Sequence, residues 1–245
     1  MSLEERLDGL ALPPGEVVHG DGGSTLWVSH GPATPDLWVS IAASKPGLWP
    51  LVLGQDGPWE NGELVGAEPG QHDPAVLLPK WWYEYVEEDE DDDVTAPFGR
   101  DWPGFAPALP FSGDPDGVAF ALVSSLLGGD PRMRLGLVAA DRGADALAEM
   151  GWSGPANYVG DMGEVVAVIR DWEERFGARV VGVQGHDTLH LSVAAPPQTH
   201  DDALLVAAEH FALCPDNIWS SLDAPTLDAY AARLVGQDAW AFWWD

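Results

Sequence analysis

The chain has 245 residues, with 40 acidic side chains against 11 basic ones, a formal net charge of −29 and a single cysteine, Cys214. A charge of that sign repels phosphate and anionic headgroups, which excludes a conventional nucleic-acid-binding domain and adsorption to an anionic membrane; one cysteine excludes an internal disulfide framework. With 46% hydrophobic residues and 13 Trp, the composition is that of a folded protein of one or two domains rather than a disordered polymer.

The opening Met1-Ser2-Leu3-Glu4-Glu5-Arg6 has no basic region ahead of an apolar core, unlike a signal peptide. The longest mostly apolar stretch, Val118 to Leu127, is too short to span a bilayer. A cytoplasmic location is the expectation. Residues 1–130 hold 23 acidic and 4 basic side chains and most of the Pro and Gly punctuation, whereas residues 131–245 hold 17 and 7 and are strongly periodic. Gly128-Gly129-Asp130-Pro131 marks the expected boundary between an acidic, strand- and loop-rich N-terminal region and a second, α+β part.

In chain order, Thr25–Ser29, Leu37–Ile41 and Leu48–Leu53 read as short strands between Gly/Pro/Asp turns. Asp114-Pro115-Asp116 reads as a helix start leading into Val118–Leu127. Arg134–Ala139 alternates as a strand and Ala144–Met150 is a short helix. Val165, Val168, Ile169, Trp172 and Phe176 then mark one face of an amphipathic helix closed by Gly177. Arg179–Val183 and Asp187–Val193 are strands, and Gly185-His186 suits a two-residue type II′ hairpin between them. Leu189, Leu191 and Val193 point one way, with Thr188, His190 and Ser192 opposite. Thr199-His200-Asp201-Asp202 caps a helix over Ala203–Leu213 that is apolar nearly all round and therefore buried. Asp223 and Pro225 open a further helix stopped by Gly236, and Trp240–Asp245 reads as a terminal strand packed inside the sheet. The mixture predicts an α+β fold, a mixed sheet with packed helices.

The blocks Trp172-Glu173-Glu174-Arg175-Phe176-Gly177-Ala178, Asp187-Thr188-Leu189, Ala195-Pro196-Pro197, Ala207-Ala208-Glu209-His210-Phe211 with Cys214-Pro215-Asp216, and Phe242-Trp243-Trp244-Asp245 stand in order with matching spacing. Together they resemble the bacterial family named domain of unknown function 4253, over roughly Arg134 to Asp245. The family pattern often has an acidic residue where this chain carries His190. The resemblance implies no established activity, cofactor or catalytic residue.

Glu209, His210, Cys214 and Asp216, with Asn217 beside them, form the most enzyme-like constellation. His210 and Cys214 lie four apart on one helix, so imidazole and thiolate can face one zinc ion with Asp216 as a third ligand. The same spacing suits a Cys–His nucleophile pair, and Glu209 with Asp216 suits carboxylate acid–base work. Against these readings, a helix this apolar turns cysteine into a small hydrophobe and histidine into a satisfied core group, and burial raises a thiol's pKa. No second cysteine supports a metal site, so no metal or cofactor is expected. His186 and His190 belong to the hairpin surface. Walker, nucleophile-elbow, His-Glu-x-x-His and EF-hand signatures are absent.

Trp81, Trp82 and Tyr83 lead into Glu87, Glu88, Asp89, Glu90, Asp91, Asp92 and Asp93, and eight of the ten residues from Glu84 to Asp93 are acidic. Unit charges about 6 Å apart in water repel by roughly 0.7 kcal/mol per pair, so the run is expected to be extended and solvated unless a basic partner or cations compensate it. The expected function is a non-enzymatic acidic protein that docks a basic protein partner through this segment, in an immunity-type or scaffold role. The alternatives are a hydrolase-like site around Glu209, His210, Cys214 and Asp216, or sugar or small-ligand binding on Trp platforms.

Overall fold

The computed structural model describes residues 2–44, 46–68, 70–88, 93–111 and 113–245. Seven strands form one mixed sheet: β1 (Gly15–His19), β2 (Thr25–Pro32), β3 (Trp49–Leu53), β4 (Arg134–Val138), β5 (Ala178–Gln184), β6 (Thr188–Val193) and β7 (Ala239–Trp243). Their order is β1-β2-β4-β3-β5-β6-β7. Only the β3–β5 pair is parallel; the other neighbours run antiparallel. The helices are α1 (Leu3–Leu7), α2 (Pro35–Ser44), α3 (Pro74–Glu88), α4 (Pro115–Gly129), α5 (Gly143–Met150), α6 (Met162–Phe176), α7 (His200–Leu213), α8 (Asp216–Trp219) and α9 (Leu227–Leu234). The fold is α+β with an open sheet, as the sequence predicts.

Alternating side chains divide the core between the two faces of the sheet. Leu26, Val28, Leu51 and Leu53 join the larger layer under α3, α5, α6, α7 and α9. Trp27, Val52, Leu135 and Leu137 face the smaller one under α1, α2 and α4. β4, from beyond the Gly128–Pro131 break, lies between β2 and β3, so the strands on either side of that break interleave in one sheet.

The caps stand close to their sequence signals. Asp114 accepts from the Gly117 amide at the head of α4, and Asp161 accepts from the Gly163 amide at the head of α6. Thr199 accepts from the Asp202 amide at the head of α7, and Gly177 closes α6 with φ of 61°, a left-handed conformation that suits glycine. α9 starts on Thr226 rather than on Asp223 or Pro225. Gly185 also has positive φ, but Gln184 pairs with Thr188, so the hairpin loop holds three residues instead of two.

Three expectations change. Leu37–Ile41 is helical, inside α2, because Pro35 sets the first turn and the Thr34 hydroxyl accepts from the Leu37 amide; Trp38 and Ile41, three apart, then face the core. The aromatic segment before the acidic run is helical as well. In α3, Leu77, Leu78, Trp81, Trp82, Tyr85 and Val86 repeat at helical spacing and are all buried, while Asp73 caps the Ala75 amide at 2.9 Å. Finally, β7 is an edge strand: Trp240, Phe242 and Trp244 point into the core, and Ala239, Ala241 and Trp243 are exposed.

Candidate functional site

Glu209, His210, Cys214 and Asp216 are all buried, and each is taken up by a separate structural contact. Glu209, on α7, accepts from the Ala106 amide at 2.8 Å, from Trp172 Nε1 at 2.8 Å, and from Arg175 Nη1 and Nη2 at 3.0 and 2.5 Å. Arg175 also donates to the Ala106 carbonyl and to Asp171, and it stacks over the Phe176 ring. Burial pushes the Glu209 carboxyl above the ordinary range, and Arg175, Trp172 and the Ala106 amide pull it back. The group ties α6, α7 and the segment around Ala106 together, and leaves Glu209 no free lone pair for acid–base work.

His210 packs against Trp240, Phe242 and Trp172, with ring centroids 4.4, 4.8 and 5.0 Å away. Its Nδ1 lies 3.1 Å from the Tyr230 hydroxyl, and Nε2 has no partner among the described residues. Asn217 Nδ2 donates to the Tyr230 oxygen at 3.1 Å, which directs the Tyr230 proton to Nδ1 and assigns the imidazole proton to Nε2, among aromatic rings. Burial lowers the His210 pKa to about 3, so the ring is neutral.

Cys214 Sγ donates to the Trp243 carbonyl at 3.0 Å, and burial pushes its thiol pKa up, away from the thiolate that nucleophilic attack or zinc binding needs. Asp216 accepts from the Tyr158 hydroxyl at 2.8 Å and the Asp245 amide at 3.0 Å. Asn217 donates to the Ala241 carbonyl and accepts from the Trp243 amide. The segment from Cys214 to Asn217 therefore clasps β7 in place. Its side chains do not converge on one point, and among the described residues no group of three or more His, Cys, Asp or Glu is placed to hold a metal ion.

Trp81 and Trp82 are buried rather than available to a partner. Trp82 sits edge-on against Trp102 and Phe211. The outward face of α3 is built instead from Val76, Lys80, Tyr83, Glu84 and Glu87 at helical spacing, all exposed. Glu88 is the last residue of that helix and Asp93 is exposed. The expectations for Asp89, Glu90, Asp91 and Asp92 lie outside the described residues.

A cavity of about 380 Å³ opens at the end of the sheet where β3 and β5 begin and β4 ends. Trp38 and Trp49 form part of its wall. Trp49 is fixed by its Nε1 donating to the Val180 carbonyl at 2.9 Å; Trp38 is 2% exposed and its Nε1 has no hydrogen-bond partner among the described residues. At the base, Glu173 accepts from Arg142 Nε at 2.8 Å and from the Ala144 amide at 3.0 Å, capping α5 from a neighbouring helix. Burial raises the Glu173 pKa, opposed by those two donors. At the rim the ion pairs are long and wet: Arg142 to Glu174 at 3.4 Å and Arg179 to Asp116 at 3.3 Å, with both carboxylates more than 70% exposed. Exposed pairs of this kind contribute roughly 0–1 kcal/mol. Asp141, also on the rim, pairs with none of the described residues. Sequence reasoning passed over this place. Its one visible signal is Glu173, a charged residue eight positions after Val165 and four after Ile169, on the apolar stripe of α6.

Residues 134–245 match the family model described as domain of unknown function (DUF4253), which begins at the first residue of β4 and takes in the clasp, Glu173 and the Arg175–Glu209 pair. No curated protein and no solved structure matches the chain. No helix among the described residues is long and apolar enough to cross a membrane.

Proposed function

We propose, taking residues 134–245 as a domain of that family, that this chain is a non-enzymatic acidic binding protein whose partner is a basic protein, neutralised or scaffolded in the bacterial cytoplasm. The observation that carries this reading is the two-sidedness of α3. Trp81, Trp82 and Tyr85 are spent on anchoring, so Tyr83, Glu84 and Glu87 stand on a packed mount that leads in sequence into the acidic stretch ending at Asp93. The charge balance supports it: among the described residues, at least seven of the chain's eleven basic side chains are in ion pairs with carboxylates of the same chain. The excess negative charge thus remains on the surface, where it steers association with a cationic protein and makes that association salt-sensitive. The reading also fits the absorption of Glu209, His210, Cys214 and Asp216 into packing.

The test is affinity capture at low and high salt with the full chain and two variants. One is E84Q/E87Q/E88Q/D93N; the other carries the same loss of charge elsewhere, at Asp56, Glu63, Asp201 and Asp238. A specific partner should be retained by the wild type and the second variant and lost from the first. Equal retention by both variants, or no protein partner at either salt, would overturn the reading.

A further inference from the structure

We propose that the outward face of α3 receives a basic amphipathic helix of the partner protein, seated on Val76 and Tyr83 and paired with Glu84 and Glu87. The proposal rests on the reading of this chain as a docking protein for a basic partner, and it fixes the form in which that partner presents its charge.

The anchors are apolar and independent of the carboxylates. Val76 is 63% exposed and Tyr83 48% exposed, on a helix whose opposite side is packed into the core. Single exposed apolar residues are ordinary on a protein surface. These two stand seven residues apart, two turns along the same side of α3, and about 10 Å from each other at about 1.5 Å per residue. Val76, Lys80, Tyr83 and Glu87 follow one another at intervals of four, three and four, the spacing along which a second helix packs its own side chains. Tyrosine, apolar across its ring and polar at its tip, is among the residues on which interfaces concentrate their binding energy.

Charge selects which helix. Glu84 and Glu87 flank Tyr83 on the same exposed side. The last turn of α3 carries no basic residue, whereas α6 and α9 end with Arg175 and Arg233. Carboxylates and the negative end of the helix dipole therefore coincide, and a cation brought from outside meets both. An arginine suits this place, since its guanidinium can lie on the Tyr83 ring while pairing with Glu87. Lys80, between the two anchors, calls for an acceptor on the partner and so sets the register. A second copy of this chain is the wrong occupant, because it brings the same carboxylates and a further net charge of −29.

The experiment titrates the full chain into a fluorescein-labelled, alanine-based helical peptide with two leucines seven residues apart and arginines on their flanks, read by anisotropy at low salt. A peptide of the same composition, shuffled so that no apolar face forms, is the control. Saturable binding of the first peptide is expected, weakened about tenfold in V76A/Y83A, the equivalent of about 1.4 kcal/mol, and weakened with loss of salt dependence in E84Q/E87Q. F120A/L222A, which removes exposed apolar side chains elsewhere, should bind as wild type does. These positions are exposed and alanine favours helix, so the fold is retained. Equal binding of the shuffled peptide, unaltered affinity in V76A/Y83A, or no saturable binding would each overturn the proposal. Concentration-dependent self-association that V76A/Y83A abolishes would assign the face to a second copy and overturn it as well. In affinity capture, a partner lost from E84Q/E87Q/E88Q/D93N but kept by V76A/Y83A would sink the helix while leaving the basic partner standing.

Discussion

Replacing Glu209 by Gln leaves the Arg175 guanidinium, itself only 14% exposed, facing a neutral amide. Breaking a buried pair from one side costs about 3–5 kcal/mol. Arg175 keeps its contact with Asp171, and the single Gln carbonyl oxygen can still accept from one of the two donors, the Ala106 amide or Trp172 Nε1, while its NH2 faces the other, so a loss of at least about 3 kcal/mol applies here. Glu209→Ala also strands those two donors and belongs at the upper end, about 5 kcal/mol. For a chain of this length the smaller loss lowers Tm by roughly 6–12 °C and moves the urea midpoint down by about 1 M. Urea unfolding followed by tryptophan fluorescence reads both. Arg175→Met should cost a similar amount, but Glu209→Gln/Arg175→Met removes both charges together and should lose at least about 2 kcal/mol less than the two singles combined. Additive losses, or a Glu209→Gln variant within about 0.5 kcal/mol of wild type, would refute the assignment of this pair as a structural tie.

The pH dependence has a definite sign at His210. Its folded pKa lies near 3 against an ordinary 6.5, so its contribution is fully present above pH 6.5 and is lost as pH falls toward 3; the limit is roughly 4–5 kcal/mol. His210→Gln cannot titrate, so the gap between its stability and that of wild type should narrow as pH falls through this window; parallel stability curves would contradict the neutral, desolvated imidazole. Removing residues 240–245 deletes Trp240, Phe242 and Trp244 from the core. Each such loss costs about 3–5 kcal/mol, which together approaches or exceeds a typical stability of about 5–15 kcal/mol, so the truncated chain should be insoluble or molten; an unchanged melting curve would show that β7 does not hold the core.

Where burial and local signals agree, the fold is legible in the residues. α6 can be read from its apolar stripe and Gly177, α7 from the Thr199 cap, and the facing of β6 from alternation alone. α2 is read as a strand and α3 goes unread for a common reason. Both contain Trp and β-branched or aromatic runs that score as strand, and both begin at a proline whose N-terminal partner, Thr34 or Asp73, is an easily overlooked cap. Pro79 inside α3 further hides its period. The position of β7 at the sheet edge is a matter of topology, invisible to any local pattern. The constellation around Glu209 shows the limit for sites. Its residue types and spacing are those of catalysis, but what each atom bonds depends on Arg175, Tyr230, Tyr158 and Trp243, which are distant in sequence. The cavity is hidden for the same reason, since Trp38, Trp49, Asp116, Asp141 and Glu173 meet only after the sheet forms.

The insertion of β4 between β2 and β3 has a consequence for the order of assembly. As the chain leaves the ribosome, β1 and β2 can pair at once, but β3 has neither of its neighbours until residues 134–138 and 178–184 have been made. The hydrophobic row Leu51-Val52-Leu53 must therefore wait through more than eighty residues of synthesis before β4 emerges. Over that interval an unpaired apolar strand is open to aggregation. A dense negative charge between Glu84 and Asp93 emerges within the same interval, and nascent chains that carry it repel one another while the sheet is incomplete.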